Sequence, residues 1–269
     1  MRLQVINDPI RHRAAFAQAR DEFLSLGLDP EPIDLGLAIA MPALAKLHDA
    51  NCVVAARVPA GGDAAELLRA AEAHFAARGA RLRAVVPNAA APAGETEPLH
   101  AILAARGWRD HRRDILRLAH APVPAAHAPD VSILSARAVT HLYERFCRSV
   151  ATIDQLADLA LLRLDDPRFD ALVALVGGEV VARAGLLSLG ETGLIENVVT
   201  APDARRRGHA RAVMGRVIDL CARSQFRHVF LGCGADNEPA QALYAQLGFE
   251  RIGEHAEWRA PNAEPPLVP

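Results

Sequence analysis

Three consecutive arginines and a glycine, Arg205, Arg206, Arg207 and Gly208, stand immediately before the most regular apolar helix pattern of this chain. Apolar residues recur at helical spacing over 210–221, which predicts an amphipathic helix with one buried face. Cations at the start of a helix oppose its macrodipole. Their presence is explained if an anion binds between them and the free backbone N–H groups. A strand, a glycine-containing turn and a helix start therefore predict a phosphate cradle.

The elements around this junction alternate between short strands and helices. The predicted strands are 131–134, 169–176, 180–189, 193–200, 228–233 and 252–258, and the predicted helices are 139–150, 153–164, 210–221 and 239–247. Gly177 and Gly178 form a two-residue hairpin turn between two of the strands. An antiparallel meander, a helix, a strand, a helix and a closing strand together predict an α/β (α+β) fold, in which helices flank a sheet.

A connector rich in proline and alanine, 119–129, separates this region from the preceding one. Such a segment is typical of a boundary between two compact units. We therefore predict two domains, 1–126 and 127–269.

The first half repeats the end of the second in weaker form. It has strand patterns at 52–58, 82–86 and 115–118, a helix pattern at 64–78 and a helix that ends at Gly107-Trp108. Aligning that dipeptide with Gly248-Phe249 places the turn 59–63 close to the position of the arginine–glycine turn. This indicates an internal duplication whose first copy has lost its anion-binding residues. Chance similarity of two α/β halves is the alternative.

The amino-acid composition and charge of the chain argue against several classes of binding partner. The formal net charge of −2 argues against a general nucleic-acid or membrane-surface binder. The start of the chain has no signal-peptide pattern, and no run approaches the ~18 apolar residues of a membrane helix. The four cysteines show no metal-ligand spacing. We therefore expect a cytoplasmic protein with free thiols, no metal and no membrane contact. The cysteines are Cys52, Cys147, Cys221 and Cys233.

Two motifs resemble those of the GNAT superfamily of N-acetyltransferases. The run 205–210 resembles the family pattern R/Q-x-x-G-x-G/A, and the run 237–249 resembles its N-x-x-A-x-x-L-Y-x-x-x-G-F signature. The resemblance covers about 131–260, whereas the first half resembles the family only in element order and in its Gly-Trp end. It implies a tandem protein of two GNAT-like domains with a degenerate N-terminal copy. Each domain would be a mixed, mostly antiparallel sheet flanked by helices.

The resemblance also implies acetyl-coenzyme A as the acyl donor and co-substrate. Backbone N–H groups of 205–210 would hold its pyrophosphate, and the preceding strand, which splays from its neighbour in this family, would contact the pantetheine arm. An N–H near Val199 would polarise the thioester carbonyl. Asn237 would contact the cofactor at the mouth of the split. The expected cofactor-binding residues are Val198, Val199, Thr200, Arg205, Arg206, Arg207, Gly208, His209, Ala210 and Asn237.

Acyl transfer to an amine needs a base, because an amine with a pKa of about 10.4 is protonated at neutral pH. Glu196 is the candidate base, since it is acidic within the apolar strand pattern 194–199. Tyr244 matches the family tyrosine that donates a proton to the leaving thiolate. Glu196 could instead pair with a neighbouring arginine, and Tyr244 could be an ordinary core residue. Cys233 is disfavoured as a nucleophile because the sequence places no base beside it.

The leading functional hypothesis is direct transfer of an acetyl group to a primary amine within a ternary complex. The acceptor could be a small molecule or a peptide, and Asp154 and Asp158 either favour a cationic acceptor or form a solvated helix face. The alternative is a non-catalytic acyl-CoA-binding module that regulates a partner. Nucleic-acid binding through 205–211 is disfavoured, because the cluster has no interleaved aromatic residues. We expect a monomer or homodimer whose first half closes the acceptor cleft or replaces a partner subunit.

Overall fold

A computed structural model describes residues 9–120 and 131–261, so most of the predicted connector 119–129 lies outside the described residues. The first half contains α1 Pro9–Ser25, β1 Glu31–Ile33, β2 Gly36–Ala40, β3 Asn51–Ala56, α2 Ala64–Ala77, β4 Ala84–Pro87, α3 Ala93–Ala105 and β5 Arg109–Leu118. The second half contains β6 Ser132–Ser135, α4 Thr140–Val150, α5 Asp154–Leu164, β7 Phe169–Val176, β8 Glu179–Leu189, β9 Thr192–Thr200, α6 His209–Arg223, β10 His228–Gly234, α7 Glu238–Gln246 and β11 Phe249–Arg259.

The eleven strands of the described chain form one continuous sheet, in the order β1-β2-β3-β4-β11-β5-β10-β9-β8-β7-β6. The closing strands of the two halves are exchanged. Strand β5, from the first half, lies between β10 and β11, and β11, from the second half, lies between β4 and β5. The β5–β11 ladder is antiparallel and runs from Leu118–Phe249 to Arg109–Arg259. Each half therefore completes the sheet of the other.

Helices cover both faces of the sheet. One core lies between the sheet and α1, α4 and α5, and it contains Phe16, Tyr143 and Phe230. We call this side of the sheet the α1 face. On the opposite face, α6 and α7 bury a second core that contains Met214 and Tyr244. Within the part of the chain that the structure describes, no helix has the length and apolar character needed to cross a membrane.

The predicted mixed α/β sheet flanked by helices is confirmed, although the two predicted sheets are joined into one. Helix α6 buries the predicted apolar stripe, and the four cysteines are buried free thiols. Helix α1 and strands β1 and β2 were not predicted. The buried side of α1 contains His12 and Arg20, so its apolar pattern is interrupted.

The closing strands are longer than predicted. Strand β5 begins at Arg109 instead of 115, and β11 begins at Phe249 instead of 252. The sequence 109–114 is almost entirely charged, which hides the strand pattern. Cross-strand ion pairs satisfy these charges, for example Arg112 with Glu254 at 2.6 Å.

The strand exchange predicts that the second half does not fold alone. Fragment 127–269 lacks both β4 and β5, so β11 loses both neighbouring strands and β10 loses one, which exposes three strand edges. We expect the fragment to be insoluble or to lack a cooperative thermal transition by circular dichroism. Co-expression with fragment 1–126 should restore a soluble one-to-one complex. A separately expressed fragment 127–269 that unfolds cooperatively like the full chain would contradict this account of the sheet.

Candidate active site

Strands β9 and β10 run parallel and then separate. Their pairing extends from Thr192–His228 to Ile195–Leu231 and then stops. Both strands continue, β9 to Thr200 beside β8 and β10 to Gly234 beside β5. The outer edges of both arms are therefore paired, whereas their inner edges have no strand partner in the described chain. We call this V-shaped opening the fork.

A β-bulge redirects the β9 arm of the fork. Asn197 has a left-handed φ of 55°, and the β8–β9 register shifts between Arg183 and Gly185. Bulges twist a strand locally and change where its groups point. Beyond the bulge, Val198, Val199 and Thr200 are half-buried along the arm. The fork thus contains Val198 and Thr200, which were predicted to contact the pantetheine arm, and Val199, whose N–H was predicted to polarise the thioester carbonyl.

The arginine–glycine turn follows the β9 arm and leads into α6. Gly208 is the N-cap of α6 with φ 84°, and no side chain within the described residues caps the helix. Because the first N–H groups of a helix have no intrahelical partner, this terminus is suited to an anion. Arg205, Arg206 and Arg207 are exposed around it, and Arg205 Nε donates to the Thr200 carbonyl at 3.4 Å.

The two residues that open α6 differ in exposure. His209 is buried, and its Nδ1 has no hydrogen-bond partner among the described residues. Ala210 is half-buried. The turn backbone and the exposed arginines, for which the sequence predicts a phosphate cradle, therefore follow the open end of the β9 arm.

The corresponding strands of the first half do not separate. Ala55 has a left-handed φ of 52°, so β3 carries a bulge as β9 does. Pairing of β3 with β4 nevertheless continues to Ala56–Pro87, and Asn88 N–H donates to the Ala56 carbonyl at 2.9 Å. The first half has the bulge without the fork.

The helix start of the first half is also closed. The Asp63 carboxylate accepts hydrogen bonds from Ala65 N–H at 2.8 Å and Glu66 N–H at 3.4 Å. This N-cap supplies the negative charge that a bound anion would bring to a free helix terminus. Among the described residues, the second half alone combines an open fork with an uncapped helix.

Glu196, the candidate base, lies on the α1 face at the narrow end of the fork and is 6% exposed. Its Oε1 accepts from Arg20 Nη1 at 3.4 Å, and Arg20 Nη2 donates to Glu257 at 3.5 Å. Burial lowers the pKa of Arg20, but the carboxylates of Glu196, Asp49 and Glu257 raise it above its usual value. The sequence did not identify Arg20 as a residue of the site, because it did not predict α1.

The Arg20–Glu196 pair belongs to a buried network between the halves. Glu257 also accepts from Arg259 at 2.9 Å. Burial raises the pKa of Glu257, but Arg259, His48 and Arg20 outweigh this and lower it to about 2. The ligand atoms of His48, Asp49 and Glu257 lie within 4.8 Å of one another, as in a metal site. Arginines already form ion pairs with both carboxylates, Arg163 with Asp49 and Arg259 with Glu257. These ion pairs neutralise the carboxylates, which disfavours binding of a metal cation.

Tyr244 and Asn237 lie on the opposite face, at α7. Tyr244 is buried with its ring 6.1 Å from that of Phe249. Burial, reinforced by the nearby Cys233, raises the pKa of the Tyr244 phenol well above its usual value, so it stays protonated. Asn237 caps α7, because its Oδ1 accepts from Ala240 N–H at 3.2 Å. Burial also raises the pKa of the Cys233 thiol to about 11, which makes it a poor nucleophile at neutral pH.

The acidic residues of α5 do not line the fork as a cationic-acceptor site would require. Asp158 is exposed and pairs with Arg148 of α4 at 3.2 Å. Asp154 lies in the first turn of α5, where a carboxylate stabilises the helix dipole. These positions favour the solvated helix face over a substrate contact.

The sequence profile of the Acetyltransferase (GNAT) family matches residues 136–249, which contain the fork, α6 and α7. This segment is a GNAT domain. The match supports an N-acetyltransferase.

Two relatives match parts of this chain. An uncharacterized protein of Mycobacterium leprae is 36% identical over 78 residues, which are 28% of this chain and 21% of that protein. A putative [ribosomal protein bS18]-alanine N-acetyltransferase of Bacillus subtilis is 24% identical over 105 residues, 39% of this chain and 70% of that protein. The chain thus matches about a fifth of the Mycobacterium protein's length.

A solved structure extends the likeness to both halves. The GCN5-related N-acetyltransferase from Kribbella flavida has a TM-score of 0.64 and 19% identity, covering 93% of this chain and 96% of that one. This likeness shows the fold. The first half is therefore GNAT-like in fold, as the resemblance of the sequence implied.

The buried network predicts a specific acid sensitivity at His255. His255 is buried on β11 beside Phe16, and burial, together with the charges of Arg113 and Arg20, lowers its pKa to about 3. The unfolded chain takes up this proton near pH 6.5, so stability falls as pH drops below about 6.5. Urea unfolding should show that His255→Gln reduces this dependence between pH 6.5 and 4.5, by up to about 1.4 kcal/mol per pH unit. Parallel curves for wild type and variant would contradict the neutral, buried histidine.

Proposed function

We propose that the chain transfers an acetyl group from acetyl-CoA directly to a primary amine within a ternary complex. One observation carries this proposal: the GNAT domain holds an open fork that ends at an uncapped, arginine-flanked helix start. The backbone of 205–210 would bind the pyrophosphate, with Gly208 allowing close approach. The β9 arm at 198–200 would bind the pantetheine arm, and Asn237 would lie at the mouth of the fork. Bound acetyl-CoA supplies the activated acyl group.

The residues around the fork can move the two protons that the reaction requires. The Glu196 carboxylate, which is hydrogen-bonded to Arg20, accepts the proton of the incoming ammonium. The amine nitrogen then bonds to the thioester carbon, and an N–H near Val199 stabilises the negative oxygen. The C–S bond breaks and the sulfur keeps its electron pair. The Tyr244 phenol, kept protonated by burial, donates the proton that converts the thiolate to a thiol. The resulting phenolate takes the remaining extra proton from the acetylated nitrogen, which leaves as a neutral amide, and Glu196 returns its proton to solvent.

The proposal also assigns a different role to each half of the chain. Residues 127–269 would carry the donor site, and 1–126 would carry none, because β3 and β4 stay paired and Asp63 caps α2. The first half would instead build the acceptor side, since α1 packs across β9, β10 and β11 on the α1 face. The relative named for acting on ribosomal protein alanine keeps peptide N-termini among the candidate acceptors.

A non-catalytic acyl-CoA-binding module is the second candidate. The observation that favours it is the burial of Glu196, whose carboxylate is 6% exposed and already paired with Arg20. A base must reach its substrate, so a permanently paired Glu196 would leave binding without turnover. Turnover with any amine decides against this alternative.

Binding stoichiometry tests the assignment of one donor site. Isothermal titration calorimetry should show one acetyl-CoA bound per chain, and Gly208→Trp should abolish binding. Gly61→Trp, in the equivalent turn of the first half, is the matched control. Gly61 and Gly208 have similar left-handed φ values, 77° and 84°, and at neither would a Cβ meet an atom within 4 Å. Equal loss of binding in the two variants, or two molecules per chain, would contradict the assignment.

Two substitutions test the proton-transfer roles. Glu196→Gln and Tyr244→Phe should each lower kcat about 100-fold or more while acetyl-CoA binding persists, as loss of acid–base catalysis does. Glu257→Gln is the control for Glu196, because it removes the other buried carboxylate partner of Arg20. Tyr143→Phe controls for removal of a buried phenol. Unchanged turnover in the two site variants, or equal losses in the controls, would make these roles wrong.

A further inference from the structure

Arg113 belongs to the first half but lies at the fork of the second. Its position on β5 is opposite Gly234, yet its side chain leans back along β10, where Nη2 donates to the Gly232 carbonyl at 2.9 Å. A Cβ on Gly232 would lie 3.3 Å from Arg113 Nε and 3.4 Å from Nη2. The missing side chain at Gly232 therefore leaves the space in which the guanidinium rests.

The Arg113 guanidinium contacts the β10 arm at the same level at which Glu196 lies on the β9 arm. The last β9–β10 pair is Ile195–Leu231, so Glu196 and Gly232 are the first residues on each arm beyond it. Side chains alternate along a strand, and Ile115, two residues after Arg113, packs in the core with Phe16 of α1. Glu196 contacts Arg20 of α1 on the same face. The guanidinium and the candidate base thus flank the narrow end of the fork together.

Arg113 differs from the nearby arginines in having no carboxylate partner in the described part of the chain. Arg20 and Arg259 both have carboxylate partners. In the described part of the chain, Arg113 has no carboxylate within 4.0 Å, its Nε is buried without a hydrogen bond, and Nη1 has no partner. His255 lies opposite Arg113 on β11. Burial, together with the charges of Arg113 and Arg20, lowers its pKa to about 3, so it is uncharged at neutral pH. A half-buried cation without a counter-charge is costly unless a ligand supplies one.

We propose that Arg113 binds the carboxylate of the acceptor, so that the acceptors are amines with a carboxylate close to the amine, as in amino acids. The proposal rests on the function proposed above, since it concerns the acceptor side of that same site. A guanidinium matches the planar geometry and charge of a carboxylate. Binding there presents the amine toward Glu196 on the other arm. The first half would then contribute acceptor specificity to a reaction whose donor site lies in the second.

Matched pairs of acceptors test this inference. Thiol release from acetyl-CoA is measured with a panel of amino acids and with the corresponding α-amides, which keep the amine and lose the carboxylate. We expect wild-type kcat/KM to be about tenfold or more higher for an acid than for its amide. A ratio of this size corresponds to the free energy of one charge-assisted hydrogen bond. Arg113→Gln should reduce kcat/KM for the acids to the value measured for the amides, and it should leave kcat/KM for the amides unchanged. Arg113→Lys should recover part of the preference for acids.

Arg117→Gln is the matched control. Arg117 lies two residues after Ile115 on the same face of β5, and its Nε is likewise buried without a partner among the described residues. It pairs opposite Phe230, within the closed part of the β9–β10 ladder. This variant should keep the full preference for acids. Gly232→Ala crowds the Arg113 guanidinium, with a Cβ 3.3 Å from Nε, without removing its charge. This variant should weaken the preference for acids even if Arg113→Gln folds poorly by circular dichroism.

The remaining outcomes overturn the inference in distinguishable ways. If wild type uses acids and amides equally, Arg113 does not select the acceptor. If Arg113→Gln slows both classes to the same extent, the guanidinium acts on the thioester or on the leaving thiolate instead. If wild type releases no thiol with any amine, the proposed transferase function fails and this inference fails with it.

Discussion

Exchange of the closing strands is the constraint on which the site depends. Strand β5 pairs with the outer edge of β10, as β8 pairs with that of β9, so both arms keep a full ladder on one side. The arms can therefore separate without leaving whole strands unpaired. The same exchange brings Arg113, a residue of the first half, over Gly232. A fork in the second half thus exists in this form because the first half supports it.

The buried network between the halves adds a second coupling. Arg20 of α1 joins Glu196 of β9 to Glu257 of β11, and Arg163 of α5 pairs with Asp49 at 3.1 Å. Buried ions are costly to desolvate, and removing one partner leaves the others uncompensated. The network therefore favours one relative placement of α1 and the sheet, and it holds the candidate base against Arg20.

The two halves show how one fold can carry or lose a site through local changes. Both have a bulged strand followed by a turn and a helix. In the second half the helix starts at Gly208 without a side-chain cap, whereas in the first half Asp63 caps it. The adjacent strands separate beyond Ile195 in one half and stay paired to Ala56 in the other. The first half thereby serves as a support for the sheet.

The sequence by itself determined the features that depend on neighbours along the chain. These are the arginine–glycine turn, the apolar face of α6, the Tyr244 helix, the element order of the second half and the order of β3 to β5 in the first. It did not reveal α1, because buried His12 and Arg20 interrupt the apolar period. Only the tertiary structure decided that Arg20 pairs with Glu196, 176 residues away, and that Arg113 lies at the fork. Such contacts depend on which strands become neighbours, and local propensity and spacing do not encode the exchange of two closing strands.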